Sequence, residues 1–534
     1  MIEIDNFLPP TVSFSLGSTM EMIFASLALL IFSSLASAGA PKSLNPWTVA
    51  KRFSKTVMKR IHAWEYVFRG PWIIQAGYNS SNGQPYEVPT PDTRYVFVSS
   101  PKHIEEIDRA PDDVLSLQAA SKHMLQPKYT MHGFIWSDLR GTEGVGFERS
   151  LRVILTSHLP SILHKLDRYA KARFDLVQQE SPIVQGSRRS KLFPLMKKVV
   201  AVANAHAIFG EELGKNEEFL DTALNFVEQT VYGAEPLRLL PSFLLPIFGR
   251  IMASQFSCDK KMFEIMLPVV EQRFLERDKK RIGHKVPHHD DCLQWIMETS
   301  PKKNPWSPMR VIWELMAIWF GSFHSLSVTS SNAIYDLCLE PEYLQPLRDE
   351  INAHYDEFLQ AGSGLPLLDS FLKESARLHP VETMSTRRCA IRPFTFSDGT
   401  KLGVGDWACT PVYAIMNDSE HYPEPLKFNG FRFVDPKVLE GKVTNEQLRR
   451  PAQPKPSQFA DVDSTWQIWG TGRMACPGRF YASALLKVIV AQIVANYDFE
   501  LHDPPTSRYL IWRSTFLPKS NTEVVFTPRV PEPA

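Results

Sequence analysis

The strongest constraint in this 534-residue chain is the stretch 309–339, thirty-one residues without a proline. As helix it would run ~46 Å, enough to cross a whole domain. Its middle, residues 311–323, is apolar on nearly every side, which predicts a central buried position. Pro341 follows at a place suited to the first turn of the next helix. A chain built around such an element is a large helical domain. The 44% hydrophobic content supplies the core for one. No low-complexity spacer and no repeat of 20–50 residues divides it.

Helical spacing recurs over 147–166, where Pro160 is expected to split the stretch, and over 192–209, 221–232, 244–256 and 261–280. It returns over 365–378, stopped by Pro380, and over 478–497. Residues 94–99 read as a strand and 101–109 as a short helix. Beyond Pro380 come small strands, with a turn at Ser397-Asp398-Gly399. The class is mainly α with small β-sheets. His284, His288 and His289 fall in a polar stretch, 283–291, that reads as an exposed loop rather than a metal site. Net charge is +1 with scattered basic residues, so nucleic acid is not an expected partner.

Residues 22–40 carry no charge and would span ~28 Å as helix. Acidic residues precede them, and Lys42, Lys51, Arg52, Lys55, Lys59 and Arg60 follow. The positive-inside rule places the N-terminus in the lumen and the rest in the cytosol. The expected organisation is a lumenal stub over 1–21, a transmembrane anchor over 22–40 and a basic linker over 41–60. The single domain then covers 61–534. The rivals are a cleaved signal peptide, suggested by Ala36-Ser37-Ala38 but lacking a short basic start, and a buried amphipathic helix. In a cytosolic domain the sequons at Asn79 and Asn417 are chance matches.

The six cysteines show no C-x-x-C or zinc spacing and are too few for a disulfide scaffold. Cys258, Cys292, Cys338, Cys389 and Cys409 read as small apolar packers. Cys476 differs, because it sits in WGTGRMACPGR, residues 469–479, ahead of a predicted helix. Gly470 and Gly472 permit a tight turn and close approach of a flat ring system. Pro477 suits a helix start, whose free N–H groups favour a thiolate.

This segment resembles the haem loop of the cytochrome P450 family, F-x-x-G-x-R/H-x-C-x-G. Trp469 stands in the Phe position, Gly478 in the last Gly position, and Met474 where an Arg or His usually meets a haem propionate. The resemblance implies the family's fold over 61–534. It also implies haem b with Cys476 as axial ligand, and Trp469, Gly470, Gly472 and Gly478 around it. Arg473 is left as a possible substitute for the missing donor. The family's E-x-x-R pair is matched by Glu374 and Arg377, with Arg432 in FNGFRF as their third partner. Arg388, or failing it Arg387, resembles the propionate-binding arginine, and Arg152 a second one. In the long helix Gly321 matches the oxygen-groove glycine, His324 the acid position and Ser325 the proton-relaying Thr. The alternative for Ser325 is a hydroxyl bonded back to its own helix. Phe320, Gly321, Phe323, Phe516 and Leu517 are the expected substrate-side residues.

The implied activity is insertion of one oxygen atom from O2 into an apolar small molecule, with electrons from NADPH–cytochrome P450 reductase. The wording is similar to fungal enzymes of secondary metabolism, including ent-kaurene-oxidase-like and indole-diterpene members. That implies a terpenoid or related substrate. Location would be the endoplasmic reticulum membrane, single-pass, with membrane lipid around the N-terminal helix. A haem-thiolate isomerase acting on a peroxide and a non-catalytic haem-binding protein are the alternatives.

Overall fold

A computed structural model describes residues 46–138, 146–301, 304–443, 445–449, 455–503, 505 and 507–529. The expected lumenal stub and membrane span lie outside the described residues. The chain divides into two units, residues 1–64 and 65–534. In the first, the backbone is helical from Pro46, within the stretch expected as a linker. Helix α1 (Pro46–Ser81) kinks at Arg69, where φ is −133° and ψ is 17°. Pro71 is the cause, since it lacks an N–H and its ring crowds the preceding turn.

The helices of the second unit include α2 (Pro101–Arg109), α3 (Leu159–Glu180), α4 (Leu192–Phe209), α5 (Glu217–Arg238) and α6 (Cys258–Arg281). They continue with α7 (Pro308–Leu339), α8 (Leu344–Ala361), α9 (Pro366–Leu378) and α10 (Arg479–Asn496). Helix α7 is the predicted central element and packs on α4, α6, α9 and α10. Among the described residues three helices, α4, α7 and α10, are long and apolar enough to cross a membrane by length and composition. Each has most of its residues buried within the fold. Helix α5 outruns its predicted span because Asn216 caps it, its side-chain oxygen accepting the Phe219 N–H at 3.0 Å. The stretch 147–166 is split as expected, helical to Leu155 and again from Leu159, with Pro160 in the first turn of α3. Ahead of it, Ser150–Leu155 is a π-helix, a form that side-chain periodicity does not announce.

Five short strands form one sheet: β1 (Tyr86–Pro89), β2 (Arg94–Phe97), β3 (Leu115–Ser116), β4 (Ser385–Ala390) and β5 (Trp407–Thr410). Their order is β1-β2-β5-β4-β3, with β2 and β5 parallel and the other pairs antiparallel. A register shift between Ser385 and Arg388 accompanies Thr386 at φ +50°. Strand β4 buries Thr386, Arg388 and Ala390 and turns Ser385, Arg387 and Cys389 the other way. A second sheet pairs Tyr497–His502, Glu523–Pro528, Ser187–Lys191 and Ile183–Val184. A separate hairpin joins Tyr509–Trp512 to Thr515–Pro518.

Candidate active site

The turn that leads to Cys476 needs its glycines. Gly470 has φ +80° and Gly472 φ +55°, and a Cβ on Gly472 would lie 2.6 Å from the Asp108 carboxyl carbon. The Cys476 N–H donates to the Trp469 carbonyl at 2.7 Å, which closes the loop. Helix α10 begins only at Arg479, so Cys476 and Pro477 precede its first turn. Burial pushes the Cys476 thiol up, while a bond from the Gly478 N–H and the charges of Arg479 and Arg152 pull the other way. Trp469 is partly buried, edge-on to Phe459 at 5.1 Å, with its Nε1–H on the Phe459 carbonyl at 2.7 Å.

Across the fold, α7 exposes Gly321 and Ser325, one turn apart in the otherwise covered middle of the helix. A Cβ on Gly321 would meet nothing within 4 Å, and the same holds for Gly478. The Ser325 hydroxyl reaches back to the Gly321 carbonyl at 3.4 Å, the geometry of the bland alternative. His324 lies edge-on to Phe193 at 6.4 Å. Burial lowers the pKa of its imidazole, opposed chiefly by the Glu382 carboxylate, so the neutral ring is favoured. Phe320 remains partly exposed. The expectation for Phe323 is corrected. It is 2% exposed and stacks on Trp319 at 5.2 Å. Two residues on from Gly321 is about 200° around the helix, into the core. Phe516 is buried, stacked on Tyr509 at 5.1 Å and edge-on to Tyr413 at 5.6 Å, and Leu517 is partly exposed.

A buried amide ties α7 to α10. Asn204, on α4, donates from Nδ2 to Ser322 Oγ at 2.9 Å and accepts from the Tyr481 hydroxyl at 3.0 Å. Sequence reasoning missed this tie, because the three residues lie far apart in the chain.

The arginines separate into two kinds. Arg388 has a side chain only 4% exposed, and its Nη2 makes no hydrogen bond; the Asp108 carboxylate stands 4.0 Å away. Burial lowers its pKa to about 10, against the pull of Asp108. Arg152 donates from Nη2 to the carbonyls of Arg473 (3.1 Å) and Ala475 (3.2 Å), while its buried Nε has no partner. Arg387 faces away, with Nη1 on Met124 Sδ at 3.2 Å and Nη2 3.7 Å from Glu382. Arg473 is corrected as a cofactor donor. Its Nη2 serves the Ala110 carbonyl (2.8 Å) and Asp112 (2.7 Å), beyond the end of α2. A thiol in a glycine turn, open space at Gly321 and Gly478, and a buried Arg388 and half-buried Arg152, each with an unmatched donor, fit a flat, iron-bearing ring with carboxylates, that is, haem.

Glu374, Arg377 and Arg432 are brought together and are at most 1% exposed. Arg377 forks onto Glu374 at 2.8 and 2.9 Å. Arg432 Nε bonds both carboxylate oxygens at 3.0 Å, and its other nitrogens take the carbonyls of Pro423, Glu424 and Lys427. The Asn429 N–H adds a bond to Glu374 at 3.0 Å.

The sequence profile described as Cytochrome P450 matches residues 86–526. A cytochrome P450 monooxygenase of Emericella nidulans is 27% identical over 465 residues, 85% of this chain and 80% of that one. Cytochrome P450 monooxygenase 151 of Postia placenta is 28% identical over 468 residues, 86% of this chain and 88% of that one. Cytochrome P450 monooxygenase janP of Penicillium janthinellum is 26% identical over 475 residues, 87% of each. A solved cyanobacterial structure with retinoic acid bound shares the fold. Its TM-score is 0.61 at 17% identity, covering 85% of this chain and 94% of the other. Haem b with a cysteine thiolate on its iron is the cofactor of this fold. The chain belongs to the cytochrome P450 family.

Proposed function

We propose that the chain is a membrane-anchored haem-thiolate monooxygenase that inserts one atom of O2 into a terpenoid or other apolar secondary metabolite. The observation that carries this reading is the Cys476 turn together with Arg388, buried, and Arg152, half-buried, each with an unmatched donor. When bound, haem supplies dioxygen activation, which a thiolate ligand favours. Cys476 holds the iron, and Gly470 and Gly472 let the backbone come close. Arg388 and Arg152 bind the propionates; Arg387 serves Met124 and Glu382 instead. Ser325 holds a proton at its hydroxyl, and His324, mostly neutral, takes one up at a ring nitrogen. Phe320, Phe516 and Leu517 exclude water from an apolar substrate. Electrons come from NADPH–cytochrome P450 reductase, with Arg473 (side chain 45% exposed) offering it positive charge. The anchor over 22–40 places the enzyme on the endoplasmic reticulum membrane, its catalytic domain in the cytosol.

The test is the reduced, CO-treated spectrum of the wild type and of Cys476→Ala, followed by turnover with and without reductase and NADPH. A thiolate signature that survives Cys476→Ala would overturn the assignment. A second reading, an isomerase that rearranges a peroxide, is favoured by the Ser325 hydroxyl reaching back to Gly321. It predicts turnover without NADPH.

A further inference from the structure

A buried ion cluster joins stretches of the chain separated by up to 421 residues. Asp92, in the turn between β1 and β2, has no exposed side-chain surface. Its Oδ2 accepts from Arg238 Nε at 3.1 Å and Nη2 at 2.8 Å, and its Oδ1 from Arg513 Nη1 at 2.8 Å. Glu235, three residues before Arg238 on α5, accepts from Arg238 Nη1 and from Arg513 Nε, each at 2.7 Å. Burial alone would push the Asp92 carboxyl up, but Arg238 and Arg513 outweigh it and hold the group well below the usual carboxylate range. Asp92, Arg238 and Arg513 are buried and Glu235 is partly so, and each of the four meets its opposite twice.

Arg513 is the odd member. It opens the two-residue turn between Tyr509–Trp512 and Thr515–Pro518 with φ +54°, a position that favours Gly or Asn. Its N–H donates to the Val67 carbonyl at 2.7 Å. A Cβ on Gly70 would fall 1.9 Å from the Arg513 carbonyl oxygen. The hairpin tip is therefore clamped to α1, to α5 and to the β1–β2 turn. A strained backbone persists where its surroundings over-determine it.

The residues just past the clamp reach the candidate site. Ser514 Oγ and Thr515 Oγ1 donate to the two oxygens of Glu382 at 2.7 Å each. The Thr383 N–H donates to the Ser514 carbonyl at 2.8 Å and the Phe516 N–H to the Val381 carbonyl at 3.0 Å. Residues 381–383 link α9, with Glu374 and Arg377, to β4, with Arg388. Glu382 is also the charge that acts most strongly on His324 of α7.

We propose that Arg513, locked by Asp92, Glu235 and Arg238, is a positioning residue that fixes the substrate-side wall of Phe516, Leu517 and Glu382 and so decides which ligand shapes the site admits. The inference rests on the haem-thiolate reading above. Arg513 acts through the hairpin and through Glu382, and its role is to hold them still.

The test uses the haem-loaded full chain and two iron-binding probes, imidazole and clotrimazole. Both offer an imidazole nitrogen to the iron. Only clotrimazole carries aryl rings bulky enough to press on the wall. Arg513→Gly, which suits the turn, is expected to change the clotrimazole Kd about tenfold or more, ~1.4 kcal/mol of discrimination. Imidazole binding should stay within about twofold. Hydrogen exchange should rise over residues 379–384 together with 508–518, and Arg513→Lys should restore most of both effects. A clotrimazole-to-imidazole ratio that stays at the wild-type value, whether both constants hold or both move together, overturns the proposal. So does unchanged exchange over 379–384. If Arg513→Gly fails to take up haem, Glu235→Gln carries the same comparison while Asp92 keeps both arginines. Failure of the underlying reading would appear separately, as a missing thiolate signature in the wild type.

Discussion

Two buried arginine sites in this molecule differ in one respect. Around Glu374, each guanidinium is satisfied by the chain itself, by one carboxylate shared between Arg377 and Arg432 and by backbone carbonyls. Around Arg388, burial is nearly as deep, yet Nη2 has no hydrogen bond, and Arg152 leaves its Nε in the same condition. The first site is complete as protein. The second keeps unmatched donors, which on the proposed reading an anion would complete. A full hydrogen-bond account thus marks off architecture from ligand site without reference to motif.

The contrast can be broken most sharply at Glu374. Glu374→Ala strands two buried cations, and we expect a loss of about 3–5 kcal/mol, seen as chain that neither folds cooperatively nor retains haem. Wild-type thermal stability in that variant would show that the site is not structural. Arg388→Leu should do the opposite to the empty protein, leaving its melting temperature equal or higher. In the loaded protein it should speed haem transfer to apomyoglobin by tenfold or more, from about 1.5–3 kcal/mol of lost charge-assisted bonding. An unchanged transfer rate would place the propionates elsewhere. Ser325→Ala should leave haem affinity alone and raise peroxide released per NADPH consumed. A constant ratio would remove the hydroxyl from proton delivery. The smallest effect is expected from Arg473→Ala. Its pair with Asp112 is partly exposed, so stability should change by less than about 1 kcal/mol and haem transfer not at all. A change in haem transfer would mean that Arg473 reaches the cofactor after all.

What could be read from the sequence follows the range of the interactions. Helices α2 and α4 match the predicted spans of 101–109 and 192–209, and α7 and α10 lie within a residue or two of theirs, because apolar spacing, run length and flanking breakers are local information. The cysteine turn was legible for the same reason, since glycines, proline and thiol lie within eleven residues. Phe323 was misplaced although its angular offset from Gly321 is readable from helix geometry alone. The tally of donors around Arg388, Arg387 and Arg473 was not readable, because it depends on which strand face or loop each arginine occupies. Asp92, Arg238 and Arg513 gave no signal, since each looks like an ordinary surface charge until a contact across 146 to 421 residues forms. Glu382 was hidden likewise, its partners waiting in the last hairpin.

The Asn204 amide carries a consequence for assembly. It bonds Ser322, beside Gly321, and Tyr481, five residues past Cys476, so one side chain gauges the distance between α7 and α10. On the proposed reading the tie presets the spacing of the slot that receives the cofactor. Loading such a slot resembles sliding a plate into a rack more than closing a hand around a ball. The empty chain should therefore already have its final helix spacing, and cofactor entry should depend on loops parting at the rim.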